Sequence, residues 1–165
     1  MIRPEDVTII IPHLGESSES EYALDQCLKS IYDTFDGKVL LVKNGNQKCN
    51  HSDISGIQIW EQGQCRAVNA AVATTNTPWI FVTNDDMIYA PGWLEKLSTV
   101  LVTAQTDIQE NRDVFCISPQ LVEPRSGAPT FQVQPFGGAG GDFDKEKWLE
   151  FVTNHPRQSL AFRTG

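Results

Sequence analysis

The sequence predicts an α/β protein whose sheet is mostly parallel, Rossmann-like and flanked by helices. Two observations carry this. Across the first three-fifths of the chain, short β-branched runs alternate with amphipathic helical stripes. The fourth such run then passes directly into an acidic turn, Asn84-Asp85-Asp86. At 165 residues the chain suits one domain, and roughly two-thirds of its unfolded surface can be buried at this size.

The elements follow in order. Val7 to Ile11 is a strand of buried type, closed by Pro12. Ser18 and Glu21 fit an S-x-x-E capping box, opening a helix with Leu24, Leu28, Ile31 and Phe35 along one face. Val39 to Val42 is a second strand that ends in the turn Asn44-Gly45-Asn46. Ile57 to Trp60 reads as a third strand, Arg66 to Thr74 as an alanine-rich helix, and Trp79 to Val82 as the fourth strand. Pro91 suits the first position of a helix carrying Leu94, Leu97 and Leu101. Beyond residue 112 the alternation stops. Phe115 to Ile117 and Thr130 to Val133 read as strands joined through PRSGAP, then comes FGGAGGDFD, and a last helix spans Lys145 to Val152.

Composition narrows the partners. The apolar fraction is 40% and the charged fraction 21%, ordinary for a globular chain. A net charge of −8 argues against a nucleic-acid partner, because phosphate backbones need a basic face. A nucleotide is still admissible, since a divalent ion can supply the positive charge. Cys27, Cys49, Cys65 and Cys116 are widely spaced, which points to reduced thiols and a cytoplasmic setting. Cys49 and His51 lack the second ligand pair of a zinc site. The N-terminus carries no signal-peptide pattern, and no apolar stretch approaches a membrane span.

The acidic turn is the strongest chemical feature. Ligands of open α/β sheets bind beyond the carboxyl ends of strands, and adjacent carboxylates there can hold a hard cation that bridges a diphosphate. A plain polar turn before the next helix is the competing reading. FGGAGGDFD lacks the lysine and hydroxyl of a P-loop and reads as a flexible loop instead. His13, His51 and His155 read as solvated loop histidines.

Four segments, in order and in register from residue 7 to about 101, resemble the family-2 glycosyltransferases. VTIIIPHLGE is similar to the family's first strand and nucleotide loop, and VLLVKNGN to its second strand and turn. GQCRAVNAAVATTNTPWIFVTNDD resembles its glycine, A-x-N helix, fourth strand and D-x-D region, and MIYAPGWLEKL the segment that follows. The resemblance implies an inverting, metal-dependent transfer from a nucleotide-diphosphate sugar to a carbohydrate or lipid-linked acceptor, on a GT-A fold. Residues 1–165 would be one such domain, with 1–110 binding the donor and 111–165 opening the acceptor side.

By position, the resemblance makes Asp86 the ligand of Mn²⁺ or Mg²⁺ and turns Asp85 toward ribose or sugar hydroxyls. Pro12 and Leu14 would line the base pocket, Leu14 replacing the usual tyrosine. Glu16 falls where relatives carry an acid, Gly63 allows close backbone approach, and Asn69 braces helix and loop. Arg66 either touches phosphate or base or lies at the surface. Lys43 and Asn44 replace a pair of aspartates, and lysine cannot accept the uracil imide proton. The family's catalytic base is expected beyond Gly165, the chain reading as C-terminally truncated. Asp142 and Asp144 are the candidates within it, so donor binding without appreciable transfer is the expectation. A sugar-phosphate nucleotidyltransferase would open with a glycine- and arginine-rich loop, which PHLGESSES is not. A non-catalytic donor-binding module is the other alternative.

Overall fold

A computed structural model describes residues 2–45, 54–108, 117–118, 122–123, 132–133, 136, 143–154 and 163–164. They belong to two compact units, Ile2–Pro91 and Gly92–Gly165. In the first, a short 3-10 turn at Pro4–Asp6 leads into strand β1 (Val7–His13), helix α1 (Ser18–Tyr32), β2 (Lys38–Asn44), β3 (Gly56–Ile59), α2 (Gln64–Ala73) and β4 (Trp79–Val82). The four strands form one parallel sheet in the order β3-β2-β1-β4.

Alternation along β1 and β2 decides which helix covers which face. Ile10, Leu40 and Val42 point to one side and pack with Ala67 and Ala71 of α2, with Ile57 and Ile59 of β3 against them. Ile9, Ile11 and Leu41 point to the other side and are fully buried. That is the side of α1, because Glu21 in its first turn bonds His13, two residues beyond Ile11. The buried face of α1 is Ala23, Leu24, Cys27, Leu28, Ser30 and Ile31. Phe35, expected at the end of this stripe, is also buried but lies past the helix.

Pro12 does not close β1, which runs on to His13. Its missing N–H would point toward β4, as the carbonyl of Ile10 does in accepting from Thr83 N at 3.1 Å. The pairing with β4 stops at Ile10↔Val82, so no ladder bond is lost at Pro12.

The start of α1 differs by one residue from the expected box. Ser17 is the N-cap and Ser20 answers it, each side chain accepting a backbone N–H at 3.2 Å. Glu21 is drawn instead to His13. Replacing Ser17 with alanine should cost about 1 kcal/mol, measured as a lower urea midpoint at unchanged slope.

The second unit contains α3 (Trp93–Ile108), β5 (Ile117–Ser118), β6 (Val122–Glu123), β7 (Gln132–Val133), α4 (Lys145–Asn154) and β8 (Arg163–Thr164). β5 pairs antiparallel with β8, and β6 parallel with β7. Pro91 stands outside α3 rather than at its first position. Gly92, at φ 75°, breaks the helical path before Trp93, and its carbonyl accepts from Lys96 N at 3.2 Å. Trp148 and Phe151 of α4 form an aromatic group with Phe136, which precedes the helix, and the Phe136–Trp148 centroids lie 5.5 Å apart edge to face. Among the described residues no helix is long and apolar enough to cross a membrane.

Candidate functional site

The strand order reverses beside β1. From β1 the chain moves outward through β2 to β3, then returns to the opposite edge of β1 as β4. With α1 and α2 on opposite faces, the carboxyl ends of β1 and β4 mark the topological switch point, where open parallel sheets form their ligand crevice. His13 ends β1 there, and Asn84-Asp85-Asp86 follows β4.

A hydrogen-bonded chain spans this crevice. The His13 side chain is 1% exposed, with Nδ1 2.6 Å from Asp85 Oδ2 and Nε2 3.0 Å from Glu21 Oε1. Both partners are carboxylate oxygens, so both ring nitrogens donate and the ring is held as imidazolium. Burial pulls the His13 pKa down, but its hydrogen bonds to the Asp85 and Glu21 carboxylates outweigh it, and the net shift is upward. His13 is therefore not the solvated loop residue expected from sequence. Because β1 continues through Pro12, the alternation of Ile9 and Ile11 carries His13 inward under α1.

Gly15 leaves room for this chain. At φ 65°, a Cβ there would lie 3.0 Å from Glu21 Oε1 and 3.1 Å from His13 Nε2. The other oxygen of Glu21 is buried and has no hydrogen-bond partner among the described residues.

The rest of the acidic turn is tied from several directions. Gln64 Nε2, in the first turn of α2, donates to Asn84 Oδ1 at 3.2 Å. Cys27 Sγ lies 3.7 Å from the Asn84 carbonyl, and burial pushes that thiol up to about 12, which makes it inert as a nucleophile. Tyr89 hydrogen-bonds Thr83 through its hydroxyl, stacks edge to face on Phe81 at 5.9 Å, and donates its backbone N–H to Ser30 Oγ at 3.1 Å. Burial raises the Tyr89 pKa. Asp86 is exposed, while one oxygen of Asp85 is committed to His13.

Residues 56–148, more than half of the chain, match the glycosyl transferase family 2. The chain belongs to this family. No curated protein matches it. Glycosyl transfer is accordingly its class of chemistry, with a sugar donor and an acceptor as partners. The parallel sheet flanked by helices fits the GT-A fold of the family. The matched stretch opens at β3 and includes the acidic turn, whereas the resembling segments on β1 and β2 precede it.

The remaining family-like positions fall as follows. Pro12 and Leu14 are half-buried, and Leu14 Cδ1 lies beside Gly45 together with Gln62. Glu16 is exposed. Asn44 is buried, and its Oδ1 accepts the N–H of Gly63, the N-cap of α2, at 3.0 Å. Asn44 thus joins loop to helix, the part expected of Asn69, which is exposed on α2. Arg66 is exposed and ion-paired with Glu61.

In the second unit, Asp144 caps α4. Its Oδ1 accepts from Lys147 N at 3.0 Å, and Lys147 Nζ is 3.1 Å from Oδ2. The Lys147 backbone and side-chain donors hold its pKa below the usual carboxylate range, which makes it a weaker base than a free carboxylate. Asp142, Cys49, His51, Cys116 and His155 lie outside the described residues.

Proposed function

We propose that this family-2 chain binds a nucleoside-diphosphate sugar in the crevice between β1 and β4, and that the sugar passes with inversion to an acceptor hydroxyl. The observation carrying this reading is the acidic turn at the point where the strand order reverses. Asp86, an exposed carboxylate on the rim, suits Mn²⁺ or Mg²⁺ as a hard oxygen ligand. Among the described residues no group of three or more His, Cys, Asp or Glu side chains is placed to hold a metal. Attachment through one or two carboxylates, with diphosphate oxygens and water completing the shell, is the ordinary arrangement for Mg²⁺. When bound, the ion offsets charge on the departing diphosphate.

The chain's own residues orient the donor. Asp85 offers its second oxygen to ribose or sugar hydroxyls, and Pro12, Leu14, Gly63 and the Asn44-braced loop form the base side. Inversion requires a carboxylate that takes the acceptor's proton. We assign no base to Asp144, because it serves as a helix cap. The test is calorimetry with a panel of nucleoside diphosphates, with and without Mn²⁺, followed by a transfer assay with nucleotide sugars and mixed acceptors. Tight metal-dependent binding supports the reading, and its absence across the panel sinks it.

The base preference follows from β2. Lys43 offers no acceptor for the uracil imide, and its stem lies over Gly56. UDP is therefore expected to bind no better than GDP or dTDP. A clear preference for UDP that survives Lys43→Ala would overturn this.

A further inference from the structure

His13 is not used in the reading above, although it is the most enclosed polar side chain at the crevice. It ends β1, its two partners come from the first turn of α1 and from the turn after β4, and its ring is almost fully buried. Each contact has its own consequence. The 2.6 Å bond to Asp85 Oδ2 fixes the rotation of that carboxylate and leaves only the other oxygen to face a ligand. The 3.0 Å bond to Glu21 anchors the ring from behind, so the imidazole cannot turn away from Asp85. Gly15 admits this geometry where a side chain would crowd both atoms. Lys43, the register partner of His13 on β2, directs its stem toward Gly56.

We propose that His13 is a positioning residue, a rigid bridge that orients Asp85 and fixes the acidic turn for donor binding. The donor-binding part rests on the reading of the crevice as a nucleotide-sugar site. The fixing of the turn can be measured without any ligand.

Two variants separate the bonds. In His13→Asn the side-chain amide reproduces the Nδ1 donor toward Asp85, and in His13→Gln it reproduces the Nε2 donor toward Glu21. Amide NMR spectra of the unliganded protein should show the resonances of Asn84, Asp85 and Asp86 displaced in His13→Gln and nearly unmoved in His13→Asn. Calorimetry with Mn²⁺ and nucleoside diphosphates should show His13→Gln weakened about 10-fold or more, the range for losing one bond to a charged group. His13→Asn should stay within about threefold of the parent, since that bond remains. A purely structural histidine would instead make both variants lose stability while leaving affinity and turn resonances alike.

Turn resonances unmoved in His13→Gln, or displaced equally in both variants, overturn the proposal. If the parent binds no nucleoside diphosphate while the turn responds to Gln and not to Asn, the donor reading fails and the bridge stands. If the parent binds but both variants bind as it does, the donor reading stands and the positioning role fails.

Discussion

Replacing Asp86 with alanine is expected to abolish metal-assisted nucleotide binding while the fold survives. In a chain of net charge −8, a diphosphate entering the crevice meets Asp85 and Asp86 as like charges unless an ion lies between them. Loss of an outer-shell partner of a metal costs ~10–100-fold in affinity, and a direct ligand should be worth at least ~100-fold. Calorimetry with Mn²⁺ measures it, and the parent in EDTA should behave like the variant. Equal affinity of the parent in EDTA and in Mn²⁺ would remove the metal from the account. The side chain of Asp86 is exposed, so thermal stability should change little.

Replacing His13 with leucine is expected to lower stability in a pH-dependent way. The variant leaves Asp85 and Glu21 without their shared donor, and Glu21 already has a buried oxygen with no hydrogen-bond partner among the described residues. Orphaned buried polar groups cost ~1–3 kcal/mol. Because both carboxylates are about a quarter exposed, about 2 kcal/mol is the expected loss.

The sign follows from the raised His13 pKa. The folded form binds the ring proton more tightly than the unfolded form, whose ordinary value is 6.5. Its contribution is fully present below pH 6.5 and fades as pH rises through the elevated folded value. The groups facing the ring are Asp85 from the acidic turn and Glu21 from α1, with Lys43 beside it in the sheet. Urea unfolding from pH 6 upward should show this slope in the parent and its loss in His13→Leu. Parallel curves for the two proteins would refute it.

The elements with strong local signals could be read before the structure. Trp79–Val82 appears with the bounds expected of it, and the stripe Leu24, Leu28 and Ile31 is the buried side of α1. β-branched runs and i, i+4 spacing are properties of a few neighbouring residues, so the chain states them directly. The family resemblance and the acidic turn were likewise local, being short segments in fixed order. Element ends were harder. β1 outruns Pro12 only because β4 has stopped pairing alongside it, and α1 starts at Ser18 after a Ser17 cap because Glu21 is engaged elsewhere.

The tertiary structure alone decided what His13 does. Its partners are 8 and 72 residues away, and no periodicity links such positions. Nor could the sequence say that Asn44 braces Gly63, 19 residues away. Hydrophobic pattern and turn chemistry determine which segments form strands and helices. The placement of β4 against β1 determines which polar side chains meet, because a buried hydrogen bond depends on distance in space rather than along the chain.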